Sequence, residues 1–465
     1  MAERKKIVLI GAGSAVFTKG LIADFIQSGF GSWEIGLCDI NQEILESVRR
    51  LAEKMVEQKG ADIRISASAD RRELLPGADF VVTTIAVGGR RAWEQDVKIP
   101  RKYKIYQPVG DSVMPGGISR AQRMIPVMVE IAKDIERLCP EAYFFNYSNP
   151  MTAIVTAVRR VTKVKIIGLC HGVIYGEKYL AKMLGADVKD LTTLGAGLNH
   201  LTWLYDIRVK GKDVHQELLD IVQKQKEEHE KNPHVRNFFN PLLEDKEIPH
   251  HMDNPLSWEF FERYGAIPAV VDRHAVEFFP ERFPEGKYYG ATLGIDAFPI
   301  EDVIARGEKT YRDMLAQGEG NGEVEEELFQ RADGEHEQLV EIIRSLLLDE
   351  RKVFSVNIPN EGAVAGIPDD AVLEIPGVAT ARGFSSMHVN GFEGAIKDMI
   401  VKRLASVDLT VEAALKGDKK LWADAMMLDG AVTELETAEK LAEDFMEEHR
   451  DYLPQYQRYF QTSRN

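Results

Sequence analysis

The chain has 465 residues, a formal net charge of −16, 44% hydrophobic and 28% charged residues, which is the composition of a globular protein with room for two or three domains. The acidic balance excludes binding along a nucleic-acid backbone, which needs a basic face, and three cysteines are too few for a disulfide framework and fit a reducing compartment. No stretch reaches the ~18 apolar residues of a membrane span, and the N-terminus runs from Met-Ala-Glu-Arg-Lys-Lys straight into a strand, so a cytoplasmic protein without membrane partners is expected.

Apolar strand candidates at residues 6–10, 34–38, 63–66, 80–85, 142–147 and 165–169 alternate with amphipathic helical stretches, among them 42–59 and 123–138. Such alternation predicts an α/β fold whose N-terminal part is a doubly wound, Rossmann-like parallel sheet. Straight after the first strand, Gly11-Ala12-Gly13-Ser14 permits a tight turn and a close backbone approach to a pyrophosphate at a helix N-terminus. Val16 stands where the usual fingerprint has its third glycine. Asp39 ends the second strand, where a carboxylate can accept hydrogen bonds from ribose hydroxyls and favours NAD over NADP. Gly88, in the pair Gly88-Gly89, offers a second close approach, and Asn149-Pro150 faces the same crevice. A glycine turn that binds no nucleotide is the alternative reading.

After the last of these strands comes Cys170-His171-Gly172, followed one helix and loop later by Asn199-His200. A thiolate and an imidazole are a competent pair of ligands for a divalent metal. The pattern changes past Gly195, which suggests a domain of residues 1–195 and a second, α+β lobe of residues 196–465. In that lobe, 318–327 reads as a solvated acidic loop entering a helix. Residues 410–453 read as helices broken at Gly417-Asp418 and packed on the second lobe. His250-His251 and His388 have no spacing that makes a further metal site.

Several segments together resemble glycoside hydrolase family 4, whose fold is related to lactate and malate dehydrogenases. They are Ile10-Gly11-Ala12-Gly13-Ser14, Val87-Gly88-Gly89, Pro115-Gly116-Gly117-Ile118, Asn146-Tyr147-Ser148-Asn149-Pro150-Met151, Gly168-Leu169-Cys170-His171-Gly172-Val173, Gly197-Leu198-Asn199-His200 and Asn357-Ile358-Pro359-Asn360-Glu361-Gly362. The resemblance implies NAD and a divalent metal, usually Mn2+, as cofactors, with Cys170 and His200 as metal ligands and Asn149 on the substrate. It also implies a homodimer or homotetramer. The reaction it implies is hydrolysis by hydride removal from sugar carbon 3, proton removal from carbon 2, loss of the glycosidic oxygen, addition of water and return of the hydride. The family lies outside the two-carboxylate scheme of ordinary glycosidases.

Cys-His-Gly-Val is similar to the α-galacturonidase subgroup, so a small-molecule uronide is the expected substrate, with α-glucuronides, α-galactosides and α-glucosides as alternatives. Asp272, in Ile267-Pro268-Ala269-Val270-Val271-Asp272-Arg273-His274, matches the base of the α-glucosidase-like members. A helix cap or a salt bridge with Arg273 is its other reading, and Tyr264 is the alternative base. His171 stands where other members carry the leaving-group acid. A uronate needs a cation, and Arg91, Arg120 and Arg273 lie beside the matched segments. The rival class, an NAD-dependent 2-hydroxyacid dehydrogenase, calls for Asp-x-x-Arg after the strand 165–169, and the chain has none there.

Overall fold

A computed structural model describes residues 4–14, 17–231, 254–320, 324–329 and 337–462. Val16, the pair His250-His251 and part of the acidic run 318–327 lie outside them. All six expected strands form: β1 (Lys5–Ile10), β2 (Trp33–Cys38), β3 (Ile63–Ser68), β4 (Phe80–Thr83), β5 (Tyr143–Asn146) and β6 (Lys165–Gly168). They are parallel, in the order β3-β2-β1-β4-β5-β6, which is the dinucleotide-binding arrangement with its crevice at the carboxyl ends of the strands. The inner strands are apolar and buried toward their carboxyl ends because helices cover both faces, whereas the edge strand β3 carries Arg64, Ser66 and Ser68. In β1, Ile7 and Leu9 enter one hydrophobic core while Val8 and Ile10 enter the core on the opposite face.

The second half of the chain extends the same sheet. β7 (Leu191–Leu198), β8 (Leu201–Val209), β9 (Lys212–Asp213) and β10 (Ile267–Pro268) come first, then a separate hairpin of β11 (Lys287–Tyr288) and β12 (Ala291–Thr292). β13 (Lys352–Pro359), β14 (Val372–Thr380) and β15 (Gly383–Ser386) follow. The order continues β6-β13-β14-β7-β8-β10, with every new pairing antiparallel. β13 meets β6 at Asn357 opposite Gly168, and β14 meets β7 at Glu374 opposite Gly197. Residue 195, the expected domain limit, falls inside β7. A Cβ on Gly168 would stand 2.8 Å from the Asn357 Cβ and from Met151, so glycine allows this junction to close.

The helical tail differs from expectation in its packing partner. Its helices Ala395–Lys416 and Lys419–Asp429 are separated at Gly417 and Asp418, as read from the sequence, and Asp418 caps the second by accepting from Lys420 N and Leu421 N. Trp422, Met426, Leu441, Phe445 and Tyr456 then form a core with Ile99 and Ile118. The tail therefore docks on helices Gly89–Arg101 and Met114–Leu138 of the first half, because those helices present the apolar face left uncovered by the sheet. Among the described residues no helix is long and apolar enough to cross a membrane.

Candidate active site

At the carboxyl end of β1, Gly11 has φ +92°, and a Cβ there would come within 3.0 Å of Ile85. Gly13 N–H donates to Asp39 Oδ2 at 2.8 Å, and a Cβ on Gly13 would collide with that same oxygen at 2.8 Å. The other Asp39 oxygen accepts from Asn41 N at 2.9 Å. Across the crevice Gly88 has φ +79° and starts helix Gly89–Arg101, where a Cβ would meet the Ala92 Cβ at 2.4 Å. Glycine is thus required by local geometry at all three positions, and bare backbone faces the crevice from both sides.

A cavity of about 330 Å³ lies at the carboxyl ends of β1, β4, β5 and β6. Ser14, Tyr147, Asn149, Arg120, Cys170, His171 and His200 border it. His200 sits in the tight turn between β7 and β8 with φ +69°, a left-handed conformation that histidine adopts more readily than most residues. Glu374, buried on the neighbouring strand β14, fixes that turn by accepting from Thr202 Oγ1 at 3.0 Å and Asn199 Nδ2 at 3.3 Å.

Asp111, His200 and His274 bring one ligand atom each to within 4.8 Å of one another. His200 Nδ1 lies 2.9 Å from Ser112 Oγ and 3.4 Å from Asp111 Oδ1, and its ring centroid is 4.1 Å from that of His274. Asn149 Nδ2 donates to Asp111 Oδ2 at 3.1 Å, and Arg120 Nε donates to the Asn149 carbonyl at 3.0 Å. Cys170, half-buried, shares a hydrogen bond with His200, and its Sγ accepts from Gly172 N at 3.3 Å. His274 Nδ1 and Asn149 Oδ1 are buried without a hydrogen-bond partner. Two imidazoles, a thiol and a carboxylate with orphaned atoms aimed inward form a donor set that suits a borderline divalent metal.

The electrostatics follow from this crowding. Burial disfavours charge on His200, but the Asp111 carboxylate and the hydrogen bonds to Asp111 and Cys170 outweigh it and lift its pKa well above the ordinary value. Burial and then the neighbouring His200 drive His274 well below the ordinary value. Asp111 resists burial because His200, His274 and Arg120 surround it, and its pKa falls below the carboxylate range. Glu277 supports the Asp111 loop from behind: its Oε1 accepts from Val109 N at 2.7 Å and Gly110 N at 2.8 Å. Burial, followed by the nearby Asp111 charge, raises Glu277 to about 8.

Three expected residues are not assembled here. Asp272 is fully buried and its carboxylate is engaged elsewhere: Oδ2 accepts from Leu256 N at 2.9 Å and Tyr288 OH at 2.6 Å, and Oδ1 from Ser257 N at 2.7 Å and Ser257 Oγ at 2.5 Å. It is a cap on helix Pro255–Tyr264, so the expectation of a base is corrected to its helix-cap alternative, though the helix is not its own. Tyr264 closes that same helix, 37% exposed, away from the cavity lining. Arg91 has 73% of its side chain exposed and pairs with Glu94 and Glu308, so its cation is spent at the surface. Arg273, by contrast, is mostly buried beside Asp111 and Glu277, with Nε unpartnered. His171 stacks on Tyr147 with centroids 5.8 Å apart.

Asp111, His274, Glu277 and Glu374 were not singled out from the sequence. His274 stands two residues past Asp272, in the same matched segment. Nothing local marks Asp111, Glu277 or Glu374.

The family models for "Family 4 glycosyl hydrolase" and "Family 4 glycosyl hydrolase C-terminal domain" match residues 6–186 and 195–432. The chain belongs to glycosyl hydrolase family 4. This hydrolase is 31% identical to an alpha-galacturonidase of Thermoanaerobacterium saccharolyticum, over 96% of each chain. It is 28% identical to an alpha-galactosidase of Bacillus subtilis, over 97% of the hydrolase and all of the relative. Among solved structures, a 6-phospho-alpha-glucosidase from gut microorganisms in complex with NAD and glucose-6-phosphate superposes with a TM-score of 0.80 at 25% identity, covering 97% of the hydrolase and 99% of that chain.

Proposed function

We propose that the hydrolase cleaves α-galacturonides using NAD+ and a divalent cation such as Mn2+. The observation that carries the reading is one cavity bordered by Ser14 of the first turn, Asn149, Arg120, Cys170 and His200, with Asp111 and His274 packed against His200 and the buried guanidinium groups of Arg120 and Arg273 beside Asp111. The turns suit a dinucleotide, because a Cβ at Gly11, Gly13 or Gly88 would strike Ile85, Asp39 or Ala92, so the backbone stays bare where a pyrophosphate approaches a helix N-terminus. The thiol of Cys170, the imidazole of His200 and the carboxylate of Asp111 suit a metal. Bound together, the two cofactors supply reversible hydride acceptance and Lewis-acid stabilisation of charge on sugar oxygens.

The chain's own residues have distinct tasks in this reading. Cys170, His200 and Asp111 hold the cation, while the Asn149 carboxamide, fixed through Asp111 and Arg120, orients the sugar. Arg273, with an unpartnered Nε, and Arg120 receive the uronate carboxylate. With Asp272 committed to a helix, His274 is the base for the carbon 2 proton, because its Nδ1 is buried, free and next to the cluster. His171, held flat against Tyr147, protonates the departing oxygen. Four curated relatives that are alpha-galacturonidases, at 28 to 31% identity, support the substrate class.

The test is turnover of α-galacturonide, α-glucuronide and α-galactoside by reduced protein with NAD+ and Mn2+. The reading predicts release of galacturonic acid with no net NADH. Turnover of the α-galactoside alone would remove the carboxylate role of the arginines, and steady NADH formation on a 2-hydroxy acid would remove the glycosidase reading altogether. His274→Gln should stop turnover but keep Mn2+ binding, read by electron paramagnetic resonance; loss of binding would make His274 a ligand instead.

A further inference from the structure

A second cavity, of about 450 Å³, meets the first at Cys170. It lies between helix Gly172–Met183, the outer ends of β7 and β13, and helix Glu337–Leu348. Its polar lining is Glu177, Lys178, Thr193, Gln338, Glu341 and Ser355. Glu177 Oε1 accepts from Thr193 Oγ1 at 2.8 Å, Gln338 Nε2 donates to the Ser355 carbonyl at 3.0 Å, and the Ser355 hydroxyl is buried without a partner.

We propose that this second cavity is the leaving-group subsite and that it takes a neutral, hydroxyl-bearing sugar. The inference rests on the proposed glycosidase reading. A sugar at the metal cluster with carbon 3 toward the cofactor keeps its glycosidic bond only two ring carbons away, and the second cavity shares Cys170 with the first, which puts it within reach of the leaving group. The lining carries Glu177, Glu341 and Lys178, with Lys352 3.5 Å from Glu341, so its charges balance and hydrogen-bonding groups make up the rest. That chemistry accepts sugar hydroxyls as donors and offers a second carboxylate no surplus cation. Val353, 52% exposed at the cavity's rim, can be enlarged without disturbing the core.

The experiment compares KM for methyl α-galacturonide, whose leaving group is too small to fill the cavity, with KM for an α-galacturonosyl disaccharide ending in a neutral hexose and for digalacturonic acid. The neutral disaccharide should have the lowest KM. Val353→Trp should raise it about tenfold, toward that of the methyl glycoside, and leave the methyl glycoside unchanged. Glu341→Lys should narrow the gap between digalacturonic acid and the neutral disaccharide about fivefold. Equal effects of Val353→Trp on both glycosides, or on neither, would overturn the subsite. If wild-type protein turns over no galacturonide, the substrate reading fails. The same methyl-against-disaccharide comparison, made with the glycoside class it does cleave, then decides the subsite separately.

Discussion

Replacing Asp272 separates a helix cap from a catalytic base. Its carboxylate receives four hydrogen bonds, two of them from the first N–H groups of helix Pro255–Tyr264, which have no partner within the helix. Asp272→Ala removes all four and leaves the buried N–H donors of Leu256 and Ser257 unpaired. Each unpaired buried donor costs ~1–3 kcal/mol and a lost cap ~1 kcal/mol. The carboxylate's own burial, which raises its pKa, gives part of this back, so the net loss is about 3–5 kcal/mol. Asp272→Asn keeps the shape but replaces one accepting oxygen by an NH2 that faces a backbone N–H, and should cost about 1–3 kcal/mol. The assay is thermal unfolding alongside kcat per folded molecule. For Asp272→Asn a lowered melting temperature with kcat within about tenfold of wild type is expected, whereas removing a general base costs roughly 100-fold or more. An unchanged melting temperature with a kcat loss of that size would refute the cap and restore the base.

Cys170→Ser should abolish metal-dependent turnover while NAD+ binding stays near normal, checked by titration of each cofactor; full retained activity would contradict its ligand role. Glu374→Ala, which frees the turn carrying His200, should weaken Mn2+ binding about 10-fold to 100-fold, read by electron paramagnetic resonance. Glu277 has a folded pKa raised to about 8 by burial and by Asp111. Its contribution to stability is therefore complete below the ordinary carboxylate range and lost as pH rises through about 8. Melting temperature should fall as pH rises from the ordinary carboxylate range to about 8 and level off above that, and Glu277→Gln should flatten the fall.

The parallel sheet was legible because its inner strands are apolar on both faces and its glycines stand at strand ends, where turn geometry alone demands them. Cys170 and His200 were legible as motif residues. Asp111 and His274 were not, because they reach His200 only when the loop before helix Met114–Leu138 and the short helix Val271–Ala275 fold onto the β7 to β8 turn, a convergence with no periodic trace. Asp272 misled for a related reason. Its partners lie 15 and 16 residues earlier, and a carboxylate in a matched segment looks the same whether it faces a substrate or a helix end. Arg91 could have been read correctly, since Glu94 follows at a spacing of three on one helix. The tail's docking on the first half was hidden because amphipathic periodicity marks an apolar face without naming what covers it.

The central claim is that the cofactor cradle and the metal cluster act on one sugar, oxidising carbon 3 so that the carbon 2 proton is exchanged during turnover. Hydrolysis of an α-galacturonide in D2O with NAD+ and Mn2+, followed by NMR of the released galacturonic acid, tests it directly. The account predicts deuterium at carbon 2 in the product; a product with hydrogen retained at carbon 2 would contradict it.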